Sequence, residues 1–338
     1  MASSTILHRF DFLILASFLL SNSCGLVTSP SDESITSGTW EIVRAKQDEI
    51  TYYSIHFVDA NVGWIVGEDG TIQNTVDGGI SWDSQTSGVT SWLWDVQFID
   101  NQTGWICGAN NTILRTQDGG HSWSNISTID SIDKIYTGLE FISPDIGWIS
   151  SNHGEILRTS DGGLTWELKK FFEMGGGSRL SALDANTIYA LHGRLYRSYD
   201  AGETWDSLTI STPDYFRASQ IFFTDRNNGW ANTMSTSGGL MDTSQPVVST
   251  NDGGLTWSHA ESLNDDFFEC TYFINKNIGW VAGPQKIYKT NDGGDHWTLE
   301  STRDDIYYGA KDMMFIDKNH GWLLNYRGDV FRYLGDGK

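Results

Sequence analysis

Residues 75–82 read Thr-Val-Asp-Gly-Gly-Ile-Ser-Trp, and this stretch decides the fold because the chain repeats it. Six copies of the form [Ser/Thr]-x-Asp-x-Gly-x-[Ser/Thr/His]-Trp, here called the box, follow one another at steps of 41, 43, 39, 52 and 40 residues. Such a period indicates a repeat array, in which each unit buries its apolar face against its neighbours. The repeated aspartates are Asp77, Asp118, Asp161, Asp200, Asp252 and Asp292.

Each unit is predicted to form four short strands, A to D. In the first unit, residues 53–57, 64–66, 71–75 and 81–82 carry β-branched and aromatic residues between clusters of Gly, Asn and Asp. That pattern is typical of strands joined by tight turns. A Gly-Trp pair opens strand B in six units, and Thr187-Ile188-Tyr189 stands there in the fourth unit, so the chain contains seven units.

The two ends of the chain complete one another. The last unit passes Gly321-Trp322 and reaches Lys338 without a further Trp strand, whereas residues 38–42 (GTWEI) match residues 164–168 (LTWEL) of a complete unit. We therefore predict an all-β protein, a single seven-bladed β-propeller with four-stranded blades. Its N-terminal strand completes the last blade and removes an exposed sheet edge.

The box is predicted to be structural. Its Asp can accept backbone N–H bonds within its own turn, and its glycines can adopt left-handed conformations. Asp-x-Gly also occurs in calcium loops, but no unit supplies the further carboxylates that an oxygen cage needs. We expect neither a metal nor another cofactor.

Composition and the N-terminal residues concern localisation and partners. The 43 acidic and 22 basic residues give a net charge of −21, which repels nucleic acid. Residues 12–20 (FLILASFLL) form an apolar run of the length found in export signals. We predict an export signal over residues 1–23, a tether over 24–37 and the propeller over 38–338, in a monomer that is periplasmic, extracellular or membrane-anchored.

The cysteines leave alternatives open. Residues 20–25 (LSNSCG) fit ordinary signal cleavage before Cys24, and they also resemble a degenerate lipobox in which Cys24 carries lipid. Cys107 and Cys270 lie in different units, so two buried free thiols are favoured over a disulfide.

Together, the six boxes and the Gly-Trp pairs resemble the Asp-box (BNR) propellers, and most of all the photosystem II stability/assembly factor-like family. The resemblance covers residues 38–338. It implies a non-catalytic assembly platform whose client is a membrane-associated protein, in photosynthetic members a photosystem reaction-centre subunit. In several units a cation directly precedes the box hydroxyl residue. Two interpretations are open: these cations form a basic patch, or, as we favour, each pairs with a charge on the neighbouring strand. These cations are Arg115, Arg158, Arg197, Lys289 and Arg332.

The alternative function is a glycan-binding or glycoside-hydrolysing propeller, since sialidases share the box. The Arg-Ile-Pro signature of sialidases is absent, and no acid–base pair of carboxylates stands out by spacing. We therefore expect no catalytic residues.

A protein-binding surface is predicted on the face opposite the boxes, where the D-to-A and B-to-C loops emerge. Segments before strand A are aromatic and carry a few charges, a composition typical of interaction surfaces. An insertion over residues 233–246 should project from the same face. The predicted binding residues are Tyr52, Trp92, Trp94, Tyr136, Arg179, Tyr215, Arg217, Phe268, Tyr307, Tyr308 and Lys311.

Overall fold

The computed structural model describes most of the compact unit Thr36–Lys338. The described residues are 39–46, 48–127, 133–173, 176–210, 216–235, 247–259, 263, 268–303, 306 and 309–335. They form 28 strands and one short 3-10 helix, with no α-helix among them.

Seven antiparallel sheets of four strands each make up seven blades, as predicted. Blade 1 comprises β2 (Tyr52–Phe57), β3 (Gly63–Gly67), β4 (Ile72–Thr75) and β5 (Asp83–Gln85), with the 3-10 helix Glu68–Gly70 after β3. Blade 2 comprises β6 (Leu93–Phe98), β7 (Gly104–Gly108), β8 (Ile113–Thr116) and β9 (Ser124–Asn125). Blade 3 comprises β10 (Tyr136–Phe141), β11 (Gly147–Ser151), β12 (Glu155–Thr159) and β13 (Glu167–Phe171).

The remaining blades repeat this order, strand A being the first of each. Blade 4 comprises β14 (Arg179–Ala182), β15 (Ile188–His192), β16 (Arg194–Ser198) and β17 (Asp206–Leu208). Blade 5 comprises β18 (Phe216–Phe223), β19 (Gly229–Ser235), β20 (Val247–Thr250) and β21 (Ser258–His259). Blade 6 comprises β22 (Cys270–Phe273), β23 (Gly279–Ala282), β24 (Lys286–Thr290) and β25 (Thr298–Thr302). Blade 7 comprises β26 (Ala310–Asp317), β27 (His320–Asn325), β28 (Val330–Tyr333) and β1 (Trp40–Arg44).

The predicted closure of the ring is confirmed by the pairing of β1 with β28. Trp40 lies opposite Tyr333, and Glu41 lies opposite Arg332. Trp40 is buried, and its ring meets the edge of Phe315 at a centroid distance of 5.8 Å. The N-terminal strand therefore covers the edge that β28 would otherwise expose.

Blades are joined by stacked aromatic pairs that explain the Gly-Trp motif. In blade 1, Phe57 pairs with Gly63, and a Cβ on Gly63 would lie only 2.5 Å from the Phe57 ring. Because the glycine leaves room, Phe57 stacks on Trp322 of the preceding blade at 3.7 Å with an interplanar angle of 4°. The other five stacks are Trp64–Phe98, Trp105–Phe141, Tyr189–Phe223, Trp230–Phe273 and Trp280–Phe315.

In blade 4 the large and the small residue of this register pair are exchanged. Ala182 stands where the other blades have Phe, and its register partner is Ile188 instead of Gly. Ile188 is fully buried and packs in the cluster that contains Trp148. This exchange explains why the fourth unit lacks the glycine of the Gly-Trp pair.

The box forms the same hydrogen-bond network in all six copies. In the first, Asp77 Oδ1 accepts from the Ser81 N–H at 2.9 Å, and Oδ2 accepts from the Ser81 hydroxyl at 2.6 Å. Thr75 donates to the Asp77 carboxylate at 2.8 Å and accepts from the Gly79 N–H at 3.0 Å. Each box aspartate therefore accepts backbone and side-chain hydrogen bonds from within its own turn.

The two faces of the ring are distinguished by their turns. The box adjoins the A-to-B turn, since the Gly78 N–H donates to Asn61 O at 2.8 Å. On the opposite face the B-to-C segment meets the D-to-A segment, where the Glu68 N–H donates to Thr51 O at 3.0 Å. Cys107 and Cys270 are buried free thiols, as predicted.

Candidate functional site

The A strands of the seven blades line a central channel of about 630 Å³. Several of these strands carry a bulge at their start, for example between Tyr52 and Ser54 and between Leu93 and Asp95. A bulge adds one residue and changes which side chains face each way. It therefore decides which residues of each aromatic segment reach the mouth of the channel, at the face opposite the boxes.

Three of the predicted binding residues belong to the core. Tyr52, Tyr136 and Phe268 are only 1%, 2% and 0% exposed. Tyr52 packs between blades 7 and 1, where its hydroxyl donates to Asp48 at 2.9 Å. The expectation that these three side chains contact a partner is corrected, because each fills space between blades.

The mouth of the channel carries an aromatic cluster, here called the aromatic mouth: Tyr53, Trp92, Trp94, Lys311 and Tyr326. Tyr53 stacks on Trp94 at 4.3 Å, and Trp92 lies 6.2 Å from Tyr53 and 6.3 Å from Trp94. Trp92 is 45% exposed and Tyr326 is 46% exposed. Lys311 Nζ lies 5.1 Å from the Tyr53 ring centre and 5.0 Å from that of Tyr326. The predicted residues Trp92, Trp94 and Lys311 thus lie together.

Arg179 is a second cation in the channel. Its side chain is exposed, lines the channel, and makes no hydrogen bond or ion pair with a described residue. Burial, followed by the charge of Arg179, lowers the pKa of Lys311. The two predicted cations therefore lie close together and remain available to an acidic or carbonyl-bearing ligand.

Two acids link neighbouring A strands. Asp95 Oδ2 accepts from the Leu139 N–H of blade 3 at 2.9 Å, and Asp312 Oδ2 accepts from the Ile55 N–H of blade 1 at 2.9 Å. Burial raises the pKa of Asp95 to about 7, and the nearby Asp312 carboxylate adds to the effect. Burial also raises the pKa of Asp312. These carboxyls thus join the A strands of neighbouring blades by hydrogen bonds. The side-chain amide oxygen of Gln97 does the same by accepting from the Phe141 N–H.

Two further acids line the channel. Burial raises the pKa of Glu140 to about 8, and that of Glu269 to about 7. At neutral pH both therefore carry a large protonated fraction. The channel is consequently less negative than its four acids suggest, so a ligand carboxylate can approach Arg179 and Lys311.

Some predictions fall outside what the structure describes. Cys24, Tyr215, Tyr307 and Tyr308 lie outside the described residues, as do residues 236–246 of the insertion. The backbone of Arg217 lies in β18, but its side chain is not described. These residues stay predictions.

Sequence reasoning did not select Tyr53, Tyr326 or the channel acids. Tyr53 is adjacent to Tyr52, and only the bulge determines which of the two rings faces the channel. Tyr326 follows β27, in a B-to-C turn without an aromatic pattern. Strict alternation from the buried Phe57 would have indicated Ser54 and His56 but not Tyr53.

The arrangement suits binding. Exposed aromatic rings beside a few charges favour contacts with a peptide or another flexible ligand. Among the described residues no group of three or more His, Cys, Asp or Glu side chains could hold a metal ion. Within the same part of the chain, no helix is long and apolar enough to cross a membrane.

Comparison with solved structures shows the same fold. A structure described as YCF48 bound to D1 peptide is 23% identical, with a TM-score of 0.72, over 88% of this chain and 97% of that one. YCF48 from Cyanidioschyzon merolae is 19% identical, with a TM-score of 0.70, over 87% of this chain and 98% of that one. The GH74 xyloglucanase from Xanthomonas campestris is 13% identical, with a TM-score of 0.67, over 89% of this chain but 54% of that one.

Sequence comparison gives the family. The search of curated proteins found no match. The model of the family described as photosynthesis system II assembly factor YCF48 matches residues 32–91 and 82–214, which together are more than half of the chain. This seven-bladed protein therefore belongs to the photosynthesis system II assembly factor YCF48 family.

Proposed function

We propose that this protein is an exported, non-catalytic assembly factor that binds a peptide segment of a membrane-associated protein at the aromatic mouth. The observation that carries the proposal is the exposed Trp92 beside the stacked Tyr53 and Trp94. Membership of the YCF48 family supports an assembly role. A structure of YCF48 with a D1 peptide supports a peptide as the ligand, D1 being the first candidate.

The energetics favour an extended segment over a folded surface. The rings of Trp92 and Tyr326 present apolar area at the entrance of a concave channel, where a side chain could be desolvated on several sides. Arg179 and Lys311 can receive carbonyl oxygens or a carboxylate of that segment. A flat protein surface would reach the rim but not these cations.

Export is the second part of the proposal. The apolar run over residues 12–20 and the polar residues 25–37 favour a signal followed by a tether. Cys24 lies between them, where lipid would anchor the propeller near a membrane partner. Mass spectrometry of the membrane fraction tests this directly, since unmodified Cys24 peptides there would contradict lipidation.

Binding is tested by fluorescence anisotropy with a fluorescein-labelled D1 peptide. The wild-type protein should raise the anisotropy, and Trp92→Ala should weaken binding by about tenfold, the effect of losing one aromatic hot spot. Arg179→Gln should also weaken binding. The matched control is Ile80→Ala, because Ile80 is 62% exposed but lies in a box turn on the opposite face.

The outcomes separate the site from the function. Equal binding by wild type and Trp92→Ala would remove the aromatic mouth from the proposal, as would an equal loss in Ile80→Ala. If the D1 peptide does not bind, but another membrane protein is recovered with wild type and not with Trp92→Ala, the proposed site stands and the proposed client is wrong.

A glycoside-directed function is the second candidate, and the channel acids favour it. Asp95 and Glu140 have raised pKa values in a propeller that shares its fold with a xyloglucanase. Against it, Asp95 already accepts hydrogen bonds from the Leu139 N–H and the Ser54 hydroxyl. Release of reducing sugar from xyloglucan by wild type but not by Asp95→Asn would establish this alternative.

A further inference from the structure

Seven side chains, one from each A strand, surround the channel at its end near the box face. Each of them is the register partner of the strand-B tryptophan of its blade, or of Tyr189 in blade 4. All seven line the channel and belong to the described residues. This set, here called the lower layer, is His56, Gln97, Glu140, Ser181, Phe222, Tyr272 and Met314.

Four of these side chains bond to the backbone of the next blade. The amide of Gln97, for example, accepts from the Phe141 N–H and donates to Phe141 O at 3.1 Å. Phe222 and Tyr272 pack on one another instead, with ring centres 5.1 Å apart. The side chains that bond to the phenylalanine of the next blade in the same way are His56, Ser181 and Met314.

Glu140 is the polar member of the lower layer that has no such partner. By alternation from Phe141, which stacks on Trp105 of blade 2, its side chain is directed toward blade 4. There Ala182 replaces the phenylalanine of the other blades and is partly exposed, so blade 4 leaves space beside the carboxyl. Among the described residues this carboxyl makes no hydrogen bond and no ion pair, and burial, followed by the charge of Asp95, raises its pKa to about 8. An enclosed ionisable group without a partner costs stability, unlike the bridging groups of the other blades.

The lower layer supplies no cation to Glu140. His56 is its one basic group, and burial lowers the pKa of that imidazole to about 4, so it is neutral at pH 7. Arg179 and Lys311 line the channel nearer its mouth. Burial raises the pKa of Asp95 and Asp312, and the charge of Arg179 opposes this shift. The other titratable side chains that line the channel are Tyr53, Asp95, Glu269, Tyr272, Asp312 and Tyr326.

The wall across the channel from Glu140 is aromatic. Burial, followed by the charge of Glu140, raises the pKa of Tyr272 to about 12, so the two groups lie within electrostatic range. The Phe222 ring lies beside Tyr272, and the Met314 side chain adds apolar surface. Ring faces attract organic cations, and a tyrosine hydroxyl can accept a hydrogen bond. A metal ion is less suited, since no group of three His, Cys, Asp or Glu side chains in the described part of the chain could hold one.

We propose that the lower layer binds a small primary alkylammonium ion, with Glu140 as its counter-ion. The ammonium group donates to the Glu140 carboxylate and to the Tyr272 hydroxyl, and its alkyl chain lies against Phe222 and Met314. The ligand arrives already charged, so the proton of the Glu140 carboxyl leaves to solvent when the ion pair forms. The channel volume of about 630 Å³ is sufficient for such a ligand. The inference is independent of the aromatic mouth and of the client.

The experiment uses n-butylammonium chloride as the probe and the methyl group of Met314 as the reporter. In protein labelled with ¹³C at the methionine methyl groups, the Met314 resonance should shift during titration at pH 8, with millimolar affinity. Because the pKa of Glu140 is about 8, its ionised fraction falls from about one half at pH 8 to about one hundredth at pH 6. The affinity should therefore fall by about fiftyfold between these two pH values.

A neutral analogue and two variants test the role of the carboxyl. At pH 8, 1-butanol should bind at least about tenfold more weakly than n-butylammonium, because it lacks the charge. Glu140→Gln keeps the size of the side chain but cannot ionise, so it should lose at least about tenfold in affinity, together with the pH dependence. The matched control Glu269→Gln removes a channel acid outside the lower layer and should lose no more than about threefold. Unchanged resonances of the other methionine methyl groups show that each variant is folded.

Several outcomes would overturn the proposal. Equal affinity for n-butylammonium and 1-butanol would do so, as would unchanged binding in Glu140→Gln or the same affinity at pH 6 and pH 8. Displacement of the probe by potassium chloride at an equal concentration would assign the site to an alkali metal ion and overturn the organic ligand. N-acetyl-L-lysine amide binding tenfold more tightly than n-butylammonium would assign the ammonium group to a polypeptide and overturn the small ligand. A shift that persists in potassium chloride and is lost in Glu140→Gln supports the proposal.

Discussion

The exchange of sizes in blade 4 yields a prediction that tests how the blades are joined. Ala182 and Ile188 are register partners, and they occupy the places of Phe57 and Gly63 in blade 1. The double change Ala182→Phe with Ile188→Gly rebuilds in blade 4 the arrangement of the other six blades. We expect the double variant to be nearly as stable as wild type, although each single change is strongly destabilising.

The magnitudes follow from the geometry. Ile188→Gly removes a fully buried side chain at a cost of about 2–5 kcal/mol, with a further cost of about 0.5–1 kcal/mol for a glycine within a strand. Ala182→Phe alone places a ring against Ile188, and overpacking costs about 1–3 kcal/mol. The equivalent conflict in blade 1 would be a Cβ 2.5 Å from the ring.

In the double variant the ring fills the space that Ile188 leaves. It can also stack on Trp148, which is fully buried and has no stacked phenylalanine among the described residues. Such a stack contributes about 0.5–1.5 kcal/mol beyond burial, which offsets the glycine. The coupling energy between the two changes should therefore be at least about 3 kcal/mol, the upper end of the range for contacting residues.

Urea unfolding followed by tryptophan fluorescence measures all four proteins of this double-mutant cycle. Phe57→Ala with Gly63→Ile, the reverse exchange in blade 1, serves as the matched control and should show coupling of the same sign. Additive losses of stability, with a coupling energy below about 0.5 kcal/mol, would refute the explanation that the glycine of the Gly-Trp motif is needed to make room for the phenylalanine opposite it.

The remaining predictions concern closure and charge. Trp40→Ala should lower the free energy of unfolding by about 3–5 kcal/mol, and hydrogen exchange should rise first in β28. Unaltered hydrogen exchange in β28 of Trp40→Ala would argue against closure of the ring by β1. Trp92→Ala, by contrast, should leave the melting temperature nearly unchanged. Hydrogen bonds from Ser122 and then Thr116 lower the pKa of Asp118 to about 2, so its stabilisation should be present above pH 4 and be lost as the pH falls to 2. In Asp118→Asn, the melting temperature should change less between pH 4 and pH 2 than it does in the wild type. The same pH dependence in both proteins would contradict this role of the Asp118 carboxylate. Burial raises the pKa of Glu140 to about 8, so the folded state retains this proton after the unfolded chain has released it, and stability should fall as the pH rises from 4.5 to 8. Denaturant unfolding of Glu140→Gln should show a smaller fall over the same pH range, whereas parallel profiles of the variant and the wild type would contradict the shift.

The candidate site could be predicted in part. Trp92, Trp94 and Lys311 were selected from sequence and lie together, because residues at the start of strand A must reach the channel mouth in any propeller of this topology. Tyr136 was selected on the same reasoning and is buried. A bulge adds a residue without a sequence signal strong enough to reveal it, so alternation alone cannot tell a mouth residue from a residue between blades.

The channel acids show a different limit. Asp95 and Asp312 lie in blades 2 and 7, 217 positions apart in the sequence, and no local pattern connects them. They influence one another only because the closed ring brings their A strands to one axis.

By itself, the sequence determined the repeat, the four strands of each blade, the role of the box and the closure of the ring by residues 38–42. These features are local, or they follow from matching one unit to another, so hydrogen-bond needs and periodicity are sufficient to infer them. Only the tertiary structure decided which aromatic rings are exposed and which acids share the channel. Those properties depend on the register of each bulge and on contacts between blades, where burial and charge are set by residues far away in the chain.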